Sequence, residues 1–409
     1  MNSEALFSLA LGLQTPWEVR GVDFSSGDNG RHELHIKIGF VRGAKFPDST
    51  GSLCSVHDTV ERRWQHLSFF EHLCYLHCDV PRIKTSDGKI KTVSVPWSRP
   101  ESGFTLMFEA LAMAMIEREM PVSRIAELLR VNPNRIWNVF NHWVSQARQI
   151  DDPGSITRLG MDETSTRKGH QYITLGVDMD ARRVIHVTEG KGKQAVADIK
   201  DYLLSKQILP EQIQQISMDL SPSYIAGVSE HFPDSQITFD RFHVVKLLNE
   251  AMDAVRKTER KEHALLKGHK YTFLKNPNQL SDKQRDSLEE LTSLYPKLGQ
   301  AYRLKVLFND LWDMPNKQAA HTFMIQWCAE VRVADIPAFE AFIKTLIGHW
   351  YGIMNYIESR LTNGLLEGIN HKVQLAKRRA RGYRNVNNLM NMVYFLCGKL
   401  NFNYPLYSA

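Results

Sequence analysis

The first quarter of the chain alternates in polarity. His32-Glu33-Leu34-His35-Ile36-Lys37-Ile38 sets an apolar side chain at every second position, the period of a half-buried strand. Residues 71–80 read as another strand, and residues 83–90 as two runs meeting at Asp87-Gly88, a dipeptide that suits hairpin turns. Residues 1–95 are therefore a small β-rich module, closed by Pro96, Pro100 and Gly103. Residues 104–119, rich in Leu, Met and Ala, then predict a helix, and residues 121–130 a second with Ser123 as its N-cap. A break at Val131-Asn132-Pro133-Asn134 precedes a third helix at 135–148. Two short helices about a tight turn within 104–148 read either as a helix-turn-helix or as an ordinary helical hairpin. In the first case Arg135 and Asn138, with Trp137 and Asn141, stand on the DNA-reading helix.

The strand period returns at residue 156. Runs at 156–163, 171–179 and 183–188 are close enough to pair antiparallel, with a turn at Met179-Asp180-Ala181. Helix 193–206, strand 214–220, helix 222–231, strand 236–240 and a long helix from Phe242 complete the series. This order predicts an α/β, RNase H-like catalytic domain over 156–400. Residues 242–355 carry almost no strand signal. They predict a large helical insertion, chiefly 260–355, ahead of one more helix at 364–380.

Composition narrows the class only a little. A chain of 409 residues, 43% hydrophobic and 23% charged, is an ordinary globular protein of two or three domains. The net charge of +6 leans toward a polyanionic partner. The N-terminal apolar run lacks the basic region and cleavage site of a signal peptide, and no apolar stretch is long enough for a membrane span. Five cysteines, an odd number in no dense framework, suit a reducing cytoplasm.

Three carboxylates carry the chemistry. Asp162 and Asp219 each end an apolar strand run, in Arg158-Leu159-Gly160-Met161-Asp162 and in Ile216-Ser217-Met218-Asp219. Glu367 follows in the first turns of the late helix, in Asn363-Gly364-Leu365-Leu366-Glu367. One such acid usually serves a turn or a cap. Two at matching strand ends with a helical Glu downstream suggest ligands for Mg²⁺, which prefers carboxylate oxygens. Two such ions bridging a phosphate activate the attacking oxygen and stabilise the leaving one, and Mn²⁺ is the natural substitute.

Asp240-Arg241-Phe242-His243-Val244-Val245-Lys246, the Ser217–Tyr224 segment SMDLSPSY, and Ser359-Arg360 through EGINHKVQLAKRRARGYRN resemble the DDE transposases of the ISL-three group of bacterial insertion sequences. The likeness covers residues 40–400. It implies that Asp162, Asp219 and Glu367 are the catalytic and metal-binding acids. The chain would then recognise the terminal inverted repeats of its element, cleave the ends and transfer a 3′ hydroxyl to target DNA. Its implied partners are double-stranded DNA and at least one further copy of itself, within a bacterial cytoplasm at the nucleoid. The alternatives are a non-catalytic DNA-binding regulator and a structure-directed nuclease.

Several basic residues fit a DNA partner. Residues 371–384 hold Lys372, Lys377, Arg378, Arg379, Arg381 and Arg384 with no acid, and Tyr383 suits base stacking or a core position. Arg241 and Lys246 begin the long helix beside His243, which fits either a site role or a structural one. Trp312, Trp327 and Trp350 suit a helical core, or an aromatic that braces an extruded base. The resemblance also implies an N-terminal zinc module. Cys54 and His57 make half a site, but the flanking pairs are missing. Either Cys74 and Cys78, near His77, complete a degenerate zinc ribbon, or the module folds without metal.

Overall fold

The computed structural model describes residues 2–26, 32–167, 169, 171–361 and 363–404. They form two compact units, residues 1–147 with 402–409, and residues 148–401. No helix among the described residues is long and apolar enough to cross a membrane.

The first unit opens with helix α1 (Ser3–Ala10) and strands β1 (Trp17–Ser26), β2 (His32–Phe40), β3 (Lys45–Pro47), β4 (Leu53–Phe69), β5 (His72–Lys84) and β6 (Ile90–Thr92). The sheet order is β1-β2-β5-β4-β3, with β6 also on β5, and β2 and β5 run parallel. The alternation predicted for residues 32–38 is the burial pattern of β2. Leu34, Ile36 and Ile38 enter a core with Leu76, Val80, Trp64 and Trp97, while His35 and Lys37 face outward. The hairpin at Asp87-Gly88 forms, with Gly88 at a φ of +80° that glycine reaches without strain.

Helices α2 (Leu106–Glu117), α3 (Val122–Leu128) and α4 (Pro133–Ile150) follow. Thr105 caps α2 by accepting from the Phe108 N–H. Ser123 does not cap α3 as expected. Buried Val122 is already helical, so Pro121 takes the N-cap position in an extended conformation, and its side chain makes no cap bond. The α3–α4 turn passes through Arg130 at a positive φ, and the Asn132 side chain accepts from the Asn134 N–H at 2.8 Å.

The second unit is built on β7 (Arg158–Ser165), β8 (Tyr172–Asp178), β9 (Arg183–Glu189), β10 (Gln215–Met218) and β11 (Gln236–Phe239), in the order β11-β10-β7-β8-β9. The first three pair antiparallel, and β10 and β11 run parallel to β7. Helices α5 (Lys193–Ser205), α6 (Pro222–His231) and α7 (Arg241–Glu262) alternate with the later strands. Beyond them lie α8 (Lys270–Leu274), α9 (Asp282–Leu294), α10 (Pro296–Phe308), α11 (Lys317–Ala334), α12 (Pro337–Ser359), α13 (Gly364–Arg379) and α14 (Val386–Cys397). The stretch predicted as a helical insertion is helical throughout its described elements.

Two of the three tryptophans of that stretch are wholly buried and the third is partly so. Trp312 and Trp327 are fully buried around Phe308, with ring centroids 5.9 and 4.8 Å away, and Trp350 packs against the same core. An extruded base therefore has no access to Trp312 or Trp327. Helix α12 lies directly on β11 because residue 352 is glycine, and a Cβ there would overlap the Phe239 ring. Gly352→Val is expected to lower stability by about 1–3 kcal/mol, the usual effect of overpacking a filled contact. Urea unfolding of the full chain measures it, and an unchanged midpoint would show that α12 can move away freely.

Candidate active site

Asp162 sits in the middle of β7, opposite Leu175 of β8, and not at the strand's end. The register of β10 on β7 sets Ser217 level with Gly160, and its continuation brings Asp219 level with Asp162. The next parallel pair sets Met218 level with Phe239, so Asp240 follows at the same height, its N–H donating to the Met218 carbonyl at 3.0 Å. Three aspartates thus stand side by side across neighbouring strands. Asp240 is the one that sequence reasoning missed. The signal was available, since Asp240 also ends an apolar strand run.

Local structure holds each acid. Asp219 accepts from the Ser221 N–H at 2.9 Å, which opens α6. Asp240 caps α7 through one oxygen, accepting from the Phe242 N–H at 3.1 Å, and bonds His243 Nδ1 at 3.0 Å through the other. Asp162 accepts from the Glu163 N–H at 2.8 Å and from Asn370 Nδ2 at 2.6 Å. Burial, helped by the charges of Asp219 and Asp240, pushes the Asp162 carboxyl up to about 6 against the pull of the Glu163 N–H and His243. His243 is raised chiefly by its bond to Asp240, then by the charges of Asp240, Asp219 and Asp162. The cluster is a concentration of negative charge with one nearby imidazole.

Helix α13 closes over this edge through a polar stripe. Asn363, Glu367, Asn370, Gln374 and Lys377 recur at helical spacing, and four of the five bond the sheet. Asn363 accepts from Ser217 Oγ, Asn370 binds Asp162, Gln374 donates to Thr164 Oγ1 at 2.7 Å, and Lys377 donates to the Ser165 carbonyl. Glu367 is the exposed member. It lines a cavity of about 330 Å³ with Asp240, Arg241, Phe242 and Asn363. Among the described residues, no three His, Cys, Asp or Glu side chains are gathered closely enough to hold a metal ion. The structure therefore sets Asp162, Asp219 and Asp240 on one sheet edge and Glu367 in a cavity with Asp240. It does not draw the three predicted acids into a single tight cage.

The predicted DNA-contacting residues divide. Lys372, Arg378, Arg379, Arg381 and Arg384 are exposed on or just past α13, as are Arg241 and Lys246 on α7. Lys377 is a correction, because its ammonium is turned onto β7 and serves the fold. Burial pushes the Tyr383 phenol up to about 12, so the core position fits it better than an open stacking platform. In the first unit Asn138 is exposed on α4. Arg135 instead spreads its guanidinium over the Phe104 ring at 3.9 Å and donates to the Gly103 carbonyl at 3.4 Å.

The candidate zinc ligands are not brought together. Cys74 and Cys78 both face the core of the β-rich sheet, where burial pushes each thiol up to about 12. His77 points to the opposite face and meets His35 at 2.9 Å. On β4 the partner of Cys78 is Arg62, eight residues beyond Cys54, roughly 26 Å along an extended strand. His57 stands on the face opposite Cys54 and pairs with Asp58 at 3.4 Å.

Comparison with known proteins assigns this architecture to a class. A family model described as a transposase matches residues 159–393, more than half of the 409-residue chain and all of the strand edge just described. A second, described as the helix-turn-helix domain of transposase family ISL3, matches residues 93–144. The chain belongs to the ISL3 group of DDE transposases. It is 25% identical to the transposase for insertion sequence element IS1557 of Mycobacterium tuberculosis, over 94% of this chain and 93% of that protein. It is also 25% identical to the transposase for insertion sequence element IS1001 of Bordetella parapertussis, over 83% and 85% of the two chains. The match at 93–144 makes α3 and α4 a helix-turn-helix.

The raised Asp162 carboxyl has a consequence for stability. An acid whose folded pKa lies above its unfolded value, about 4, destabilises the fold increasingly as pH rises from about 4 to 6, and fully above that. Asp162→Asn removes this charge, and the Asn370 amide can reverse, because its Oδ1 is buried without a partner. In a chelator at pH 7 the variant is expected to be more stable than the parent by on the order of 1–3 kcal/mol, with the gap closing below pH 4. Urea titrations at the two pH values check this, and a less stable variant at pH 7 would refute it.

Proposed function

We propose that this transposase acts on the ends of its own insertion sequence, cleaving a DNA strand and transferring the freed 3′ hydroxyl to target DNA. The observation that carries the reading is the level alignment of Asp162 and Asp219 on adjacent parallel strands beneath the helix that bears Glu367. The strand order, three antiparallel strands flanked by two parallel to the first, supports an RNase H-like catalytic core.

The donor set suits Mg²⁺. It consists of oxygens alone, carries surplus negative charge, and includes the partnerless buried Oδ1 of Asn370 beside Asp162. Asp162, Asp219 and Glu367 would hold the ions, which supply Lewis-acid polarisation of the phosphate and of the attacking oxygen. The chain's own groups do the rest. His243, oriented by Asp240, offsets the negative charge where a phosphate must approach. Arg241, Lys372, Arg378, Arg381 and Arg384 provide exposed cations for backbone phosphates, and the helix-turn-helix with Asn138 provides contact to the terminal repeats. Bringing two ends together requires at least a dimer.

The test uses the full chain and a duplex carrying the element's end. Mg²⁺-dependent nicking at the end is expected, Mn²⁺ is expected to substitute, and Asp162→Asn, Asp219→Asn and Glu367→Gln should each reduce cleavage to background while DNA binding persists. Undiminished cleavage in the three variants would overturn the assignment of the acids. Binding without cleavage in the parent chain, with either ion, would favour a regulator.

A further inference from the structure

Phe242 is out of place for an apolar residue. It is 57% exposed at the start of α7, two residues past Asp240. The ring is not loose, since His243 abuts it edge-on at a centroid distance of 5.7 Å and an interplanar angle of 85°. His243 is itself fixed by Asp240. The ring therefore stands beside the acids with His243 against it and more than half of its surface open to solvent.

The surroundings of that ring are chemically specific. Phe242 and Val245 form a ridge between two cavities of about 330 Å³ each. The first holds Asp240 and Glu367 together with the side chains of Asn276, Asn309 and Asn363. Asn363 Oδ1 already accepts from Ser217 Oγ and Asn309 Nδ2 donates to the Lys305 and Val306 carbonyls, which leaves the Asn363 amino group and the Asn309 oxygen as a donor and an acceptor for the edge of a nucleobase. Buried Lys305 and Asn309 both donate to Asn276 Oδ1, at 3.4 and 3.5 Å, which commits the oxygen and leaves the amino end for the cavity it lines. The second cavity carries Lys246, Lys270 and Asn249, whose buried Oδ1 has no partner. A cavity of this size, part aromatic and part amide, fits a small planar polar ligand.

We propose that this ridge receives an unpaired nucleotide next to the phosphate held by the acids. The base stacks on Phe242, its edge meets the Asn276 side, and the continuing strand passes toward Lys246. The inference rests on the DNA-cleaving reading above and adds the substrate feature that the site selects, a base outside the duplex. Phe242 would be a positioning residue for DNA, while the acids carry the chemistry.

The test separates this from the reading beneath it. The full chain is titrated with a paired duplex and with the same duplex carrying one unpaired nucleotide, 5-iodouracil at that position allowing photocrosslinking. The expected result is roughly five- to hundredfold tighter binding of the second duplex, the range for one base stacked on an aromatic ring. The crosslink should map to Phe242. In Phe242→Ala the preference should fall to about one while paired-duplex affinity stays, and Phe242→Trp should restore it. Equal binding of the two duplexes by the parent, or a preference that survives Phe242→Ala, overturns the proposal without touching the cleavage assignment. Failure to bind either duplex defeats both readings. If Phe242→Ala instead dissociates an oligomer and leaves the preference intact, the ring is a protein contact and the proposal falls.

Discussion

A buried carboxylate is stable only when its oxygens are occupied, and the edge that carries the three aspartates is organised around that requirement at Asp162. Removing an ionised acid from water carries a penalty that two or three directed hydrogen bonds offset only in part. Asn370 and the Glu163 amide supply two of them. To deliver Asn370, α13 must turn a polar face inward, against the usual rule for a helix on a sheet. It does so because Leu366, Ile369 and Val373 provide the apolar burial alongside, and because Gly160 lets the helix approach, a Cβ there lying 3.2 Å from Leu366. Glu367 inherits its position from this clamp.

The helical stretch between β11 and α13 has a mechanical part in the same design. β11 pairs with β10 on one side only and would otherwise expose a free edge. Asn355 of α12 donates to the Ile237 carbonyl at 2.8 Å, and Gly352 seats the helix against Phe239. Behind them Trp312, Trp327 and Phe308 make a rigid aromatic core, to which Arg360 is tied through the Trp312 and Met314 carbonyls. By bracing the edge strand, the helical stretch fixes Asp240, and through it His243.

Much of this was legible in the sequence because two periods dominate it. Strands β2 and β7 to β11 and the helices around them fall close to the positions their apolar spacing predicts, since each buries one face against a single core. The failures share a cause: contacts between residues distant in sequence. Lys377 looked like a phosphate contact until β7 came against its ammonium. Cys54 and Cys74 are near in sequence but far apart along an antiparallel pair, which spacing alone could not reveal. Asp240 was overlooked although its signal matched that of Asp219. The stripe of Asn363, Asn370 and Gln374 was visible as polar spacing, yet nothing local says that a polar helix face turns inward.

The three aspartates are not equivalent, and their hydrogen bonds separate them. Asp240 commits one oxygen to the cap of α7 and the other to His243, so it acts as an organiser of the helix and the imidazole. Asp162 commits its second oxygen to an amide that can reverse, presenting Oδ1 of Asn370 in place of Nδ2. That reversal would change the local balance from one acceptor facing a donor to two acceptors facing one space. Such an arrangement is unfavourable alone and favourable around a cation. Under the metal binding proposed above, Asp162 would exchange its bond to the Asn370 amino group for a bond to the ion. The contact that makes the buried acid tolerable is then the one that a single side-chain rotation would convert into part of the proposed ligand set.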